Sequence, residues 1–413
     1  MVYAKDIRYN LINLKQLVFE VTDACNLRCK YCGYAEFYGG YDNRVNKNLS
    51  FDKSKQILDY LLKLWKENRT AEITSLVSIG FYGGEPLLNM NLVKEIVDYV
   101  KAQDKIGKKF IFNMTTNALL LDRYADYLAK NEFRLLISLD GDREGQSYRV
   151  DQNGHNSFDR VFNNIEYLRS NYPDYFSRFV MFNSVLHNRN SVESIFHFIK
   201  TNFNKEANIA QLNTSGIRPE KKEEFLNTYR GYYDSIMSSQ DCESLQDELF
   251  IKNPITGAIL DYIFYKSGNV FQSYNHLFLY PNKEQSKYLT GTCTPFSKKM
   301  FITVNGKILQ CEKIDHRFYA GVVHDSGVDL DLELIASQHN RLTEIYKYQC
   351  EKCGYKNDCK KCIYQDDDIL SETPICKSCV SKEYVDKEDS CALKYLRFHP
   401  ELYYRLLKNT VVR

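Results

Sequence analysis

The sequence has no excess charge of either sign: 55 Lys and Arg balance 53 Asp and Glu, a formal net charge of +2 over 413 residues. Without a strong field, nothing favours binding to nucleic acid or to an anionic membrane. No apolar run is long enough to span a bilayer, and no low-complexity tract or internal repeat is present. Met1–Gln16 carries Lys5, Asp6, Arg8 and Lys15 among its apolar positions, which is not the pattern of an export signal. The chain is therefore expected to be cytoplasmic, with neither nucleic acid nor membrane as partner. Proline is scarce, at 8 residues, and none of the 8 His shows metal-ligand spacing. Hydrophobic residues make up 44% and charged residues 26%, the balance of a globular chain able to bury a large core.

What the chain does have is cysteine, 13 in all. Three lie within eight residues (Cys25, Cys29, Cys32), Cys242 stands alone, and nine fall between Cys293 and Cys391. An odd count without an export signal argues against disulfides. The clustering reads instead as metal ligation at two separate places, with Cys242 simplest as a buried thiol.

Short apolar runs alternate with longer helical stretches from residue 16 to about 240. The expected strands are Gln16–Thr22, Ser75–Tyr82, Lys109–Thr116, Arg134–Asp140, Phe179–His187 and Asn208–Asn213. Between them, helical periodicity covers Phe51–Glu67, Leu92–Ala102, Asp122–Lys130, Phe158–Arg169 and Ser191–Asn202, with Asp122, Ser157 and Ser191 at N-cap positions. Strands alternating with helices imply parallel βα units, and six units suit an open, partial (β/α)6 barrel of the TIM type. The chemistry of such a fold belongs at the carboxyl ends of the strands. Residues 221–290 read as a mainly helical bridge. Beyond it the texture changes to short strands, loops and cysteines, so three domains are expected: 1–220, 221–290 and 291–413. Met300–Val304 and Lys307–Gln310, joined by Asn305-Gly306, form the clearest hairpin, with a tight primed turn expected.

Directly after the first strand stands Asp23-Ala24-Cys25-Asn26-Leu27-Arg28-Cys29-Lys30-Tyr31-Cys32. Three thiolates spaced C-x3-C-x2-C can hold three corners of a [4Fe–4S] cluster and leave one iron open for chemistry. A structural zinc site would need a fourth ligand, which no His of this stretch supplies. This spacing, with an aromatic before the last Cys, closely resembles the defining motif of the radical S-adenosylmethionine (SAM) superfamily. Other elements follow in the order the resemblance requires. Phe81-Tyr82-Gly83-Gly84-Glu85-Pro86 is similar to the family's GGEP element, whose backbone and Glu hold the SAM amino group. Two glycines let backbone approach a ligand closely. Thr115-Thr116-Asn117 resembles the element near the ribose, and Ser138-Leu139-Asp140-Gly141 stands where relatives place polar contacts to SAM. Arg149 matches an Arg seen in close relatives and is expected to pair with the SAM carboxylate. The resemblance thus implies Tyr31, Gly83, Gly84, Glu85, Thr116, Asn117, Ser138, Asp140 and Arg149 as the SAM-binding set.

The later cysteines resemble the SPASM extension, which binds two auxiliary [4Fe–4S] clusters. Cys293, Gly306 and Cys311 fit its first half, followed by Cys350-x2-Cys353-x5-Cys359-x2-Cys362 and then Cys376, Cys379 and Cys391. The resemblance implies Cys293, Cys311 and Cys362 at a nearer cluster, completed by Cys379 or Cys391. Cys350, Cys353, Cys359 and Cys376 would hold a farther one. The last spacing departs from the usual three residues, and a zinc ribbon built on the CxxC pairs stays open. Glu312, next to Cys311, matches an acidic residue that accepts a substrate proton in related sulfatase-maturing enzymes, and is the candidate catalytic base.

The implied fold is therefore α/β, a partial barrel followed by a small cysteine-rich SPASM domain. The implied activity is reductive SAM cleavage, with the resulting radical taking hydrogen from a ribosomally made peptide to form a thioether or carbon–carbon crosslink. Implied partners are the precursor peptide, a flavodoxin- or ferredoxin-type electron donor and a separate leader-binding protein. An anaerobic sulfatase maturase, oxidising Cys or Ser to formylglycine with a sulfatase as partner, is the alternative. A non-catalytic iron–sulfur electron carrier is a third reading, from another class.

Overall fold

The computed structural model describes residues 1–72, 75–103, 107–267, 290–355 and 359–409. The chain divides into two compact units, one of Val2–Ser235 with Thr294–Ser337, the other of Ile236–Cys293 with Gln338–Arg413.

The larger unit is built on strands β1 (Gln16–Thr22), β2 (Leu27–Cys29), β3 (Leu76–Gly83), β4 (Lys109–Thr116), β5 (Arg134–Ser138), β6 (Arg149–Asp151), β7 (Val180–Leu186), β8 (Ala207–Gln211), β9 (Met300–Ile302), β10 (Lys307–Leu309), β11 (Gly321–His324) and β12 (Gly327–Asp329). Ten of them form one sheet in the order β12-β11-β10-β9-β1-β3-β4-β5-β7-β8, while β2 and β6 pair separately. The six expected strands are β1, β3, β4, β5, β7 and β8, and each pairs in parallel with the next. Helices α2 (Phe51–Glu67), α3 (Met90–Lys101), α4 (Leu121–Lys130), α5 (Phe158–Asn171), α6 (Pro173–Phe179) and α7 (Val192–Phe203) fill the crossovers; α1 (Ala4–Ile12) precedes the sheet.

Sequence patterning explains most of this. β1 is buried along nearly its whole length because it is flanked on both sides, by β3 and β9. In α2, Ile57, Leu58, Leu61, Leu62 and Trp65 form the buried face, and Ser50 caps it by accepting from Lys53 N–H. Trp65 donates its indole N–H to Leu11 O at 3.0 Å, which docks α1, an element that the expected pattern did not contain. Of the expected caps, Ser191 accepts from Ser194 N–H as foreseen. Asp122 instead lies inside the first turn of α4, and Ser157, although at the N-cap, makes no capping bond because Gln146 donates to its hydroxyl.

The sheet does not stop at the boundary expected near residue 290. β9 pairs in parallel with β1 (Leu17 opposite Met300, Phe19 opposite Ile302), so Thr294–Ser337 belongs with the parallel sheet rather than with the later cysteines. The hairpin turn also differs from the primed type. Gly306 N–H donates to Thr303 O at 2.8 Å, and only Gly306, at φ +82°, has left-handed backbone. Asn305 therefore sits within an ordinary β-turn and Gly306 follows it as a bulge. A Cβ at Gly306 would stand 2.3 Å from Val323 O, so glycine is required there.

In the smaller unit, helices span Cys242–Leu249, Pro254–Ser267, Lys347–Lys352, Lys382–Phe398 and Pro400–Asn409. Ile259, Ile263 and Leu406 form a buried cluster, with Phe250 and Leu396 packed against it. The expected helical bridge is helical as far as Ser267; its remainder, 268–289, lies outside the described residues. Cys242 is half-buried rather than buried, its sulfur 3.6 Å from Met237 Sδ.

Candidate metal and cofactor site

The Cys25–Cys32 loop leaves the carboxyl end of β1 and is held from several sides. β2, which ends on Cys29, pairs antiparallel with β6 so that Cys29 lies opposite Arg149. Gln152, just past β6, donates to Cys25 O at 2.9 Å. Asn117, after β4, donates to Asn26 Oδ1 at 2.8 Å and reaches Cys25 Sγ at 3.8 Å. Burial pushes the Cys25 thiol up to about 11 and Cys29 to about 12; the neighbouring Cys32 adds to both, and Cys25 adds to Cys29. All thirteen cysteines are free thiols in the structure. Among the described residues, no three Cys, His, Asp or Glu side chains form a site for a single metal ion. Three mutually interacting thiols fit a multi-iron cluster instead, where each binds a separate iron.

The Gly-Gly-Glu-Pro element packs on this loop backbone to backbone. Gly84 N–H donates to Thr22 O and Glu85 N–H to Ala24 O, both at 2.9 Å. Gly83 has φ +145°, and a Cβ there would meet Thr22 O at 2.2 Å; one on Gly84 would meet Ala24 O at 2.1 Å. The glycines are thus demanded by the neighbouring chain itself, not only by a ligand. Glu85 is buried. It accepts from Thr116 Oγ1 (2.7 Å), Leu87 N–H (3.0 Å) and Asn117 N–H (2.7 Å). Its expected role at the SAM amine is therefore accompanied by a second one, locking the ends of β3 and β4 together. Burial pushes its carboxyl up to about 7 against these donors.

At the end of β5, Ser138 and Asp140 are both buried. Asp140 accepts from Arg149 Nε (2.8 Å) and Nη2 (3.0 Å), from Val185 N–H (2.8 Å) and from the Tyr31 hydroxyl. Arg149, the expected carboxylate partner of SAM, is thus paired with Asp140, and its remaining Nη1 lies 3.9 Å from Cys29 Sγ. Burial alone would lower Arg149, but Asp140 beside it holds it above its ordinary value. His187, which no sequence motif marked, stacks on Tyr31 with ring centres 5.4 Å apart. Burial pushes it down to about 4, so it is neutral, with Nδ1 accepting from Arg189 N–H and Nε2 facing Gly145 O.

Across the sheet, Cys311 follows β10 and Glu312 stands beside it. Lys299 Nζ pairs with both Glu312 oxygens, at 3.1 and 2.9 Å. Burial would raise the Glu312 carboxyl, but Lys299 more than offsets this and holds it below its usual value. Lys299 carried no motif, only its place directly before β9, the first strand of the hairpin. Tyr41 packs edge-on against Tyr34 (4.8 Å) and His316 (5.2 Å), and Arg44 lies 3.8 Å over the Tyr34 ring. Arg44 also donates to Glu20 Oε1 at 3.1 Å, and burial pushes that carboxyl up to about 7.

In the smaller unit, Cys350 interacts with Cys353, Cys359, Cys376 and Cys379. The thiol of Cys379 shares a hydrogen bond with Cys353 and also interacts with Cys376 and Cys359, the set expected at the farther cluster rather than the nearer one. Cys293 and Cys362 interact with each other in this unit, whereas Cys311 belongs to the larger one. Cys391 is exposed on the helix Lys382–Phe398. Among the described residues, no helix is long and apolar enough to cross a membrane.

Residues 19–201 match the family model of the Radical SAM superfamily. Radical SAM cyclopropyl synthase TigE of Paramaledivibacter caminithermalis is 28% identical over 179 residues, 42% of this chain and 35% of that protein. A cysteine-type anaerobic sulfatase-maturating enzyme of Clostridium novyi is 30% identical over 159 residues, 38% of this chain and 40% of the relative. An uncharacterised protein of Methanocaldococcus jannaschii is 36% identical over 143 residues, 34% of this chain and 44% of its own length. The chain thus spans less than half the length of these relatives. Over nearly its whole length it shares its fold with native anSMEcpe solved with bound AdoMet and Kp18Cys peptide, at a TM-score of 0.60, 17% identity, 95% of this chain and 99% of that one.

Proposed function

We propose, from the premise that residues 19–201 are a radical SAM domain, that this chain is a radical SAM maturase acting on a peptide. The observation that carries this reading is the Cys25–Cys29–Cys32 loop, clamped at the carboxyl ends of parallel strands against Gly83–Glu85 and Asn117. Cys25, Cys29 and Cys32 would hold a [4Fe–4S] cluster with an open iron. With SAM bound, that cluster would supply the one electron that breaks the S–C5′ bond of SAM, giving methionine and a 5′-deoxyadenosyl radical able to take hydrogen from the substrate. The protein's part is positional. Glu85 and Asn117 lock the strand ends around the loop, Ser138 stands at the mouth of β5, and the buried surroundings exclude water. Glu312, kept ionised by Lys299, is the group able to accept a substrate proton.

Cys350, Cys353, Cys359 and Cys376, with Cys379 beside them, support a SPASM-type auxiliary [4Fe–4S] cluster. Cys293 and Cys362, which interact with each other in the smaller unit, support ligands of a second one. The preferred reaction is a thioether or carbon–carbon crosslink within a precursor peptide, supported by the similarity to a cyclopropyl synthase. Formylglycine formation on a sulfatase is the second reading, favoured by the similarity to a sulfatase-maturating enzyme. The test is iron content and 5′-deoxyadenosine formation on anaerobically reconstituted protein with SAM and a strong reductant. About twelve irons per chain with that product are expected, and none of the product from Cys29→Ala. Clusters without product, despite confirmed reduction, would leave an electron carrier; product retained by Cys29→Ala would refute the radical assignment.

A further inference from the structure

Arg149 is the one cation whose side chain reaches both a strand-end carboxylate and a thiol of the Cys25–Cys32 loop among the contacts described above. Its Nε and Nη2 are bound by Asp140, which fixes the guanidinium plane, and Nη1 is left 3.9 Å from Cys29 Sγ. Asp140 is itself immobilised. Val185 N–H and the Tyr31 hydroxyl donate to its carboxylate, Asn190 donates to its carbonyl oxygen, and its own N–H donates to Gln146. The backbone pairing of β2 with β6 holds Arg149 opposite Cys29 from the other direction. Both members are buried, and as an ion pair they add no net charge to the site.

We propose that Asp140 is a positioning residue that aims the third arm of Arg149 at the Cys29 sulfur, so that a donated hydrogen bond sets the reduction potential of the cluster held there. This rests on the cluster assignment made above. The physical basis is general: a donor facing a ligand sulfur stabilises the additional negative charge of the reduced state and raises the potential. Arg suits the task because its planar fork can bind a carboxylate with two nitrogens while the third points elsewhere, which an ammonium cannot do.

The two contributions, charge and hydrogen bond, separate in the double variant Arg149→Met/Asp140→Asn. Net charge stays at zero, and the donor to sulfur and its support are lost. The measurement is an EPR-monitored redox titration of the reconstituted protein without SAM or peptide. The relevant cluster is identified beforehand as the one whose signal changes when SAM is added. The expected result is a more negative midpoint potential in the double variant. Arg149→Lys, which keeps the charge but not the fork, is expected to shift the same way and so not to rescue; it decides the matter if the double variant fails to load iron. An unshifted potential in a variant that loads its cluster would overturn the inference while leaving the radical assignment intact. Parent protein that assembles no SAM-responsive cluster would overturn both. A purely structural ion pair would lower thermal stability and leave the potential where it was.

Discussion

Replacing Glu85 with Gln preserves the shape of the strand-end lock and removes its charge. In the parent, one carboxylate oxygen accepts from Leu87 N–H and the Thr116 hydroxyl, and the other from Asn117 N–H. Burial pushes the carboxyl from 4.5 to about 7. A carboxyl raised in the folded state binds its proton more tightly folded than unfolded. Its contribution is therefore full below the unfolded value and is lost as pH rises through the folded one. Between about pH 5.5 and about pH 8 this amounts to a loss of about 2 kcal/mol. In E85Q nothing titrates at this position, but an amide N–H now faces the Asn117 N–H, leaving a buried donor unpaired at a cost of about 1–3 kcal/mol. E85Q should thus be less stable than the parent at the lower pH and close to it at the higher. The assay is urea unfolding followed by circular dichroism across that range under anaerobic conditions. A constant difference between the two proteins at every pH would refute the reasoning, because it would mean that Glu85 is ionised in the fold throughout.

Three further outcomes are expected. His187, held neutral by burial, titrates near 4 in the fold against 6.5 when exposed, so stability should fall as pH drops across that interval; a variant with Phe at this position that keeps the same acid sensitivity would count against it. Lys299→Met removes the cation that keeps Glu312 ionised, and the acid limb of the pH profile for substrate turnover should move up by about one pH unit; an unmoved limb would exclude Glu312 as the base. Cys353→Ala should retain SAM cleavage and lose substrate turnover, and unchanged turnover would deny the later cysteines a catalytic part.

The parallel strands were legible because each is a run of five or more residues bounded by helical periodicity. β4 matches its expected bounds residue for residue, as does α2. What escaped was short or long-range. β2 and β6 have three residues each, too few for any period to register, and their pairing joins residues over a hundred positions apart. The parallel pairing of β9 with β1 is equally non-local, which is why a change in sequence texture near residue 290 did not mark the edge of the larger unit. In the site, cysteine spacing marked the thiol loop unaided. It could not reveal that Glu85 and Arg149 are engaged by Asn117 and Asp140, since those partners come from neighbouring strand ends. Lys299 has no motif at all and is recognisable only from its distance to Glu312.

The splice of β9 onto β1 has a mechanical meaning. The strand that delivers Cys25 and the hairpin that delivers Cys311 are adjacent rungs of one hydrogen-bonded ladder, with Phe19 opposite Ile302 and Glu20 accepting from Val304 N–H at 3.1 Å. Such a ladder has no joint. The span from one thiol loop to the other therefore behaves as a fixed gauge, as a sheet slips only by whole residues and a slip would turn every buried side chain outward. The protein cannot widen or narrow that span without breaking the sheet that holds its core.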